Sequence, residues 1–225
     1  MKTTRFLVAA VISLNAILPS AHSTNIVAYA TVQVAPGYNL MANPFSTGLS
    51  NGANEIMPII DGEIILTWTG TTFIQTGYDS GFGGWVNFSG QASAPVPKLP
   101  PGEGFFFYNP VTYATNFTFA GQLIPSPSVT NCIILYPGYS LLGSPLAMGA
   151  RQITNFPVSL PAIDGMLVLQ WTGTNYLQTG YDLGAGGWVK ADDQTPTVAP
   201  SYAIGQGFFL FNPSTFPSNW CQYLQ

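Results

Sequence analysis

The residues best suited to binding chemistry occur twice, as a Tyr-Asp pair followed at a fixed spacing by Gly-Gly-Trp. The two sets are Tyr78, Asp79 and Trp85, and Tyr181, Asp182 and Trp188. An aromatic ring beside a carboxylate can bind a sugar, because the ring stacks on the pyranose face and the carboxylate accepts hydrogen bonds from hydroxyl groups. The same residues can instead be structural, with the rings in a core and the aspartate and glycines in a tight turn. Retention in both copies does not discriminate between these interpretations, and we favour the structural one.

Two other kinds of site have partial support. A glycosidase needs two carboxylates at a defined separation, and the candidates are Asp61, Glu63, Asp79 and Glu103. In the second copy Glu63 and Glu103 are replaced by Met166 and Gln206, which weakens this hypothesis. The Asp79-Ser80-Gly81 segment lacks the alternating oxygen ligands of a calcium loop. We therefore expect no enzyme activity, no metal and no cofactor.

Histidine is confined to one position, His22, near the amino terminus. This position lies within a segment that has the features of a secretory signal peptide. Without His22 the mature chain has no imidazole, which excludes Ser-His-Asp and Cys-His nucleophilic sites and histidine-ligated zinc.

The signal peptide is predicted from three features of residues 1–23. A basic region with Lys2 and Arg5 precedes an apolar run, and Ala21 and Ser23 form a small-residue cleavage site. The apolar run is too short to span a bilayer comfortably. We therefore expect a secreted protein, located outside the cell, at the cell surface or in a periplasm, with no membrane span after cleavage.

The motifs belong to a stretch that occurs twice, in residues 61–110 and 164–213. The copies align without a gap, with Asp61 opposite Asp164, and about half of their positions are identical. Each copy consists of short β-rich runs bounded by Gly, Pro and Asn, a pattern typical of a β-sandwich or small barrel. The sequence predicts an all-β protein with two similar units, 24–123 and 130–225, joined by a Pro/Ser linker at 124–129. At most one helical turn is expected, around residues 53–57.

The two cysteines predict how each unit closes. Cys132 and Cys221 align with Thr31 and Thr118 of the first unit, so both positions change together. Such an exchange is expected if the two residues face each other across neighbouring strands, where Thr–Thr is a favourable pair. We therefore predict a Cys132–Cys221 disulfide and adjacent first and last strands in each unit. Two free buried thiols are the alternative.

The low charge of the chain limits the kinds of molecule that it can bind. Charged residues make up 6% of the chain, and removal of the signal leaves three basic residues against nine carboxylates. Three cations cannot neutralise a nucleic-acid backbone, so nucleic acid is excluded as a partner. Sparse charge also leaves little electrostatic repulsion against self-association.

The unit as a whole, from Pro-Gly-Tyr-Asn-Leu through Asp-Gly, Trp-Thr-Gly, Gly-Gly-Trp and Gly-Glu-Gly-Phe-Phe-Phe-Tyr-Asn-Pro, resembles β-rich repeats of secreted bacterial proteins without an assigned function. This resemblance implies a compartment and a modular design, and it carries no catalytic residue. We expect a secreted, non-enzymatic structural or surface-interaction protein that partners itself. The alternatives are a module that binds an extracellular glycan through the repeated motif and, third, a carboxylate-based hydrolase.

Overall fold

The computed structural model describes residues 27–48, 50–88, 92–123, 131–146, 151–154 and 160–222. The predicted signal peptide (1–23) and the predicted linker (124–129) lie outside these residues. The elements of the first unit are β1 (Val27–Val34), β2 (Gly37–Ala42), β3 (Phe45–Ser46), α1 (Ala53–Ile56), β4 (Ile64–Trp68), β5 (Phe73–Asp79), β6 (Gly84–Asn87), β7 (Ala92–Ser93), β8 (Gly104–Asn109) and β9 (Thr115–Leu123). Those of the second are β10 (Asn131–Leu135), β11 (Gly138–Gly143), β12 (Arg151–Gln152), β13 (Leu167–Trp171), β14 (Tyr176–Asp182), β15 (Gly187–Lys190), β16 (Ser201–Tyr202), β17 (Gly207–Asn212) and β18 (Ser218–Gln222).

The prediction of an all-β protein is confirmed. The first unit has a six-stranded sheet in the order β2-β8-β4-β5-β6-β7 and a smaller sheet in the order β1-β9-β3. The second unit repeats this plan with a five-stranded sheet, β11-β17-β13-β14-β15, and the pairs β10-β18 and β12-β16. The paired strands run antiparallel throughout. No helix in these ranges is long and apolar enough to cross a membrane.

The first and last strands of each unit lie side by side, as the cysteine positions predict. Thr31 faces Thr118 in the β1–β9 ladder, and their hydroxyl oxygens are 2.9 Å apart. Cys132 faces Cys221 in the β10–β18 ladder, and the two form a disulfide. The alternative of two free thiols is therefore wrong.

Aromatic residues on β8 supply two layers of the molecule. Side chains alternate between the faces of a strand. Phe105 and Phe107 therefore enter the core of the first unit, where they meet Phe117 of the smaller sheet, whereas Phe106 points to the opposite face. On β17, Phe208 and Leu210 enter the core of the second unit, whereas Phe209 points to the opposite face. Burying one phenylalanine side chain contributes about 1.5–3 kcal/mol, so each of these strands stabilises two interfaces.

The outer faces of the two larger sheets pack on each other and form a cluster shared by the units. Its buried members are Leu40, Phe106, Leu141 and Phe209. The contacts are reciprocal, since Trp68 Nε1 donates to the carbonyl of Tyr139 (3.0 Å) and Trp171 Nε1 donates to that of Tyr38 (2.9 Å). Such exchange of equivalent contacts is the property of an approximate twofold axis.

Candidate functional site

Each Tyr-Asp/Gly-Gly-Trp motif forms a β-hairpin. In the first unit β5 and β6 place Tyr78 opposite Trp85, and in the second β14 and β15 place Tyr181 opposite Trp188. The ring centroids are 5.5 Å apart in both pairs, in an edge-on arrangement. This geometry is favourable for two aromatic rings and brings the motif residues together as a packing unit.

The aspartates of the motif bind the backbone of the hairpin turn. Asp79 Oδ1 accepts hydrogen bonds from the amides of Gly81 (2.7 Å) and Phe82 (3.1 Å), and Asp182 Oδ1 accepts one from Ala185 (3.0 Å). The turn requires glycine at position 83, where φ is +79°, a conformation that a side chain rarely adopts. These carboxylate oxygens therefore stabilise the turn.

A second aspartate supports each turn from the preceding loop. Asp61 Oδ1 accepts a hydrogen bond from the amide of Ser80, and Asp164 Oδ1 accepts one from Leu183, at 2.7 Å in each case. The Ser80 bond lowers the pKa of Asp61, because it stabilises the ionised carboxylate. The conserved spacing of Asp-Gly and Gly-Tyr-Asp in the two copies thus has a structural cause.

The tryptophan side chains are largely enclosed. Trp85 is 5% exposed, and its indole N–H donates to Asn54 Oδ1 at 2.7 Å, which satisfies its only polar group. Trp188 is half-buried and packs against the core of the second unit. A cavity of about 350 Å³ lies beside Tyr78, Phe82 and Trp85. The six motif residues lie where a packing role requires them, and their binding role stays a prediction.

Three of the four candidate glycosidase carboxylates, Asp61, Glu63 and Asp79, line one cavity of about 450 Å³, but they differ in exposure. Glu63 is fully buried; its Oε2 accepts the Ile60 amide at 2.8 Å, and its Oε1 has no partner in the described structure. Burial raises the pKa of Glu63 to about 7. Met166 takes the equivalent place in the second core. Asp61 is exposed and Asp79 is half-buried, and the Oδ1 atom of each accepts a hydrogen bond from a turn amide. The described residues contain no group of three His, Cys, Asp or Glu able to hold a metal ion.

Strand β1 forms an outer edge that sequence reasoning did not locate. Among the described residues its only strand partner is β9. Its outward side chains include Val27 and Tyr29, which are 74% and 79% exposed, and none of its eight residues is charged. The alternation of the strand was visible in the sequence, but which strand stands at the edge depends on long-range pairing.

Two clefts lie between the units and are related by the same approximate twofold axis. The first has a volume of about 500 Å³ and is lined in part by Trp68, Lys98, Glu103, Ile134 and Tyr139. The second has a volume of about 600 Å³ and is lined in part by Gln33, Tyr38, Trp171, Ala203 and Gln206. The sequence did not predict these clefts, because they arise only when the two larger sheets pack together.

Comparison of the chain with protein-family models, with curated proteins and with solved structures finds no match. The resemblance to repeats of secreted bacterial proteins stays a prediction.

Proposed function

We propose that this protein is a secreted, non-enzymatic structural or surface-interaction protein that assembles with copies of itself through the free edge of β1. The observation that carries the proposal is the edge itself. β1 has eight uncharged residues, including exposed Val27 and Tyr29, and β9 is its only strand partner in the described part of the chain. An unpaired strand edge presents a row of amide and carbonyl groups that another strand can bind.

Soluble proteins usually protect such an edge against pairing. The common devices are charged side chains, proline, bulges or a covering segment. The β1 sequence, Val-Ala-Tyr-Ala-Thr-Val-Gln-Val, contains no charge and no proline, and it pairs with β9 in an uninterrupted register. This composition favours pairing, and the sparse charge of the whole chain adds little repulsion.

The compartment and the lack of catalysis have separate support. A disulfide such as Cys132–Cys221 persists in oxidising surroundings, which agrees with export by the predicted signal peptide. Asp79 and Asp182 bind their own turns, and Glu63 lies in a core. Asp61, Glu63 and Asp79 line one cavity, but Asp79 and Asp182 bond to their own turns, which supports a structural role for them.

Sedimentation velocity of the chain from residue 24 onward tests the proposal. We expect concentration-dependent assembly that the double substitution Val27→Lys/Tyr29→Lys abolishes, because two charges at the edge oppose pairing. The matched control is Leu183→Lys/Val198→Lys, at positions 67% and 72% exposed but away from β1. A monomer at every concentration, or equal assembly in the β1 variant, would overturn the proposal.

Glycan binding at the repeated motif is the second candidate function. It is favoured by the cavity of about 350 Å³ beside Tyr78 and Trp85. Since Trp85 is a core residue, Phe82→Ala is the better test; this side chain lines the cavity and is 61% exposed. A glycan array that shows no binding, or binding unchanged by Phe82→Ala and by Trp85→Ala/Trp188→Ala in folded protein, eliminates this candidate.

A further inference from the structure

We propose that the second cleft between the units binds a neutral oligosaccharide. The inference uses residues outside the Tyr-Asp/Gly-Gly-Trp motifs and does not depend on assembly through β1. The cleft lies between the end of β1, the segment that follows it and the 203–206 turn of the other unit. Its volume, about 600 Å³, falls within the range of small-molecule sites.

Two aromatic side chains line the cleft and are fixed in position. Trp171 Nε1 donates to the carbonyl of Tyr38 at 2.9 Å, so the indole is anchored to the opposite unit. Its ring also packs against Phe106 and Tyr176, with centroids 5.6 and 5.0 Å away. Tyr38 is 40% exposed. Rigid aromatic surfaces of this kind can contact the apolar C–H groups of a sugar ring without ordering flexible side chains on binding.

Amide groups in the cleft are available to hydroxyl groups. Gln206 Oε1 accepts the Ala203 amide at 3.0 Å, which fixes the side chain, and its two N–H donors have no partner among the described residues. Gln33 is exposed, and its side-chain amide makes no hydrogen bond within the part of the chain that the structure describes. Amides donate and accept, as hydroxyl groups do, so the two groups are matched in kind.

The absence of charge from the second cleft selects against ionic ligands. No Asp, Glu, Lys or Arg is among the described residues that line it. An ionic ligand would lose hydration there without gaining an ion pair, whereas a neutral polyhydroxylated ligand exchanges water for amide and aromatic contacts. The chemistry of the walls therefore points to a neutral oligosaccharide.

The first cleft supplies a control built into the same molecule. It keeps Trp68 and Tyr139 at the positions of Trp171 and Tyr38, but it has Ile134 in place of Gln33 and Glu103 in place of Gln206. Lys98 also lines it, and neither it nor Glu103 forms an ion pair with another described residue. Substitutions copied from one cleft to the other are thus residues that this backbone already accommodates.

The experiment is isothermal titration calorimetry with soluble cellotetraose, maltotetraose, xylotetraose and mannotetraose, followed by the same titrations of variants. We expect at least one tetrasaccharide to bind, and Gln33→Ile/Gln206→Glu to weaken that binding at least about tenfold, because two amide contacts are lost. The double substitution Lys98→Ser/Glu103→Gln in the first cleft should leave the affinity unchanged.

Three results would overturn the proposal. They are no binding by any of the four tetrasaccharides, unchanged binding in Gln33→Ile/Gln206→Glu, and equal loss in Lys98→Ser/Glu103→Gln. Binding of an uncharged extended peptide in place of all four sugars would also contradict it, since the edge of β1 borders the cleft. A preserved circular-dichroism spectrum and melting transition establish that each variant is folded.

Discussion

The two units share a strand plan but stabilise it by different chemistry. In the first, the outer strands are joined by the Thr31–Thr118 hydrogen bond, and a carboxyl group, Glu63, is buried in the core. In the second, the equivalent places hold the Cys132–Cys221 disulfide and Met166. The comparison indicates that the second unit is the more robust one. The first carries a buried acid and a closing contact that is not covalent.

Exchanging the disulfide for the Thr–Thr pair is expected to have the largest effect on the free energy of unfolding. Cys132→Thr/Cys221→Thr gives the second unit the closing pair of the first, and it should lower the free energy of unfolding by roughly 4 kcal/mol because a long loop is no longer cross-linked. Urea unfolding measures the change. Thr31→Cys/Thr118→Cys is the reverse exchange; a lack of disulfide formation there would contradict the equivalence of the two sites.

The buried carboxyl group of Glu63 is expected to have the next largest effect, because it makes the stability of the first unit depend on pH. Its folded pKa of about 7 lies above its ordinary value of 4.5, so the folded state holds the proton more tightly and stability falls as pH rises from about 4.5 to 7. Each pKa unit corresponds to about 1.4 kcal/mol, which gives a loss of about 3 kcal/mol above pH 7.

Glu63→Met copies the second unit and should remove this pH dependence. We expect it to stabilise the chain by about 3 kcal/mol at pH 8 and to change little at pH 4, as measured by urea unfolding across that range. Asp192→Asn, at an exposed position of the second unit, serves as the control. A Glu63→Met variant whose stability changes with pH as much as the wild type would show that Glu63 is not the responsible group.

A smaller difference lies where the units meet. Ala42 in the first unit faces Gly143 in the second, and a Cβ atom at Gly143 would overlap the Cβ of Ala42. Gly143→Ala should therefore cost about 1–3 kcal/mol through overpacking. The double variant Ala42→Gly/Gly143→Ala moves the methyl group to the other unit and should recover most of that loss. Failure of this rescue in thermal unfolding would contradict the reciprocal packing.

The hydroxyl pair of the first unit has the smallest expected effect. Thr31→Val/Thr118→Val removes one exposed cross-strand hydrogen bond and keeps two β-branched residues, so the loss should be within about 1 kcal/mol. Hydrogen exchange of the β1 and β9 amides measures it. A loss as large as that of the disulfide would mean that the two closing pairs do not differ as described.

The sequence predicted most where the two copies could be compared. The paired change from Thr31 and Thr118 to Cys132 and Cys221 identified neighbouring strands, since only residues in contact need to change together. The burial of Glu63 was not anticipated, because a glutamate after Asp-Gly has the appearance of a surface turn residue. Its replacement by Met166 was the available signal.

The cluster shared by the two units could not be predicted from the sequence either. The run of three phenylalanines ending at Phe107 indicates a strand covered on both faces, but it does not say that the second cover is the other unit. The two clefts and the exposed edge of β1 depend on that docking and on strand order. The motif residues could be identified as a group from their repetition, and a core position of their rings was the interpretation that the sequence favoured.

Hydrogen–deuterium exchange on assembled and monomeric fractions tests whether the copies of the protein pair through β1. We predict that assembly slows exchange of β1 amides at least about tenfold, because their unpaired groups acquire strand partners, while exchange in the β14–β15 hairpin stays the same. Assemblies in which β1 exchanges as fast as in the monomer would contradict pairing through β1, since the contact would then lie elsewhere on the molecule.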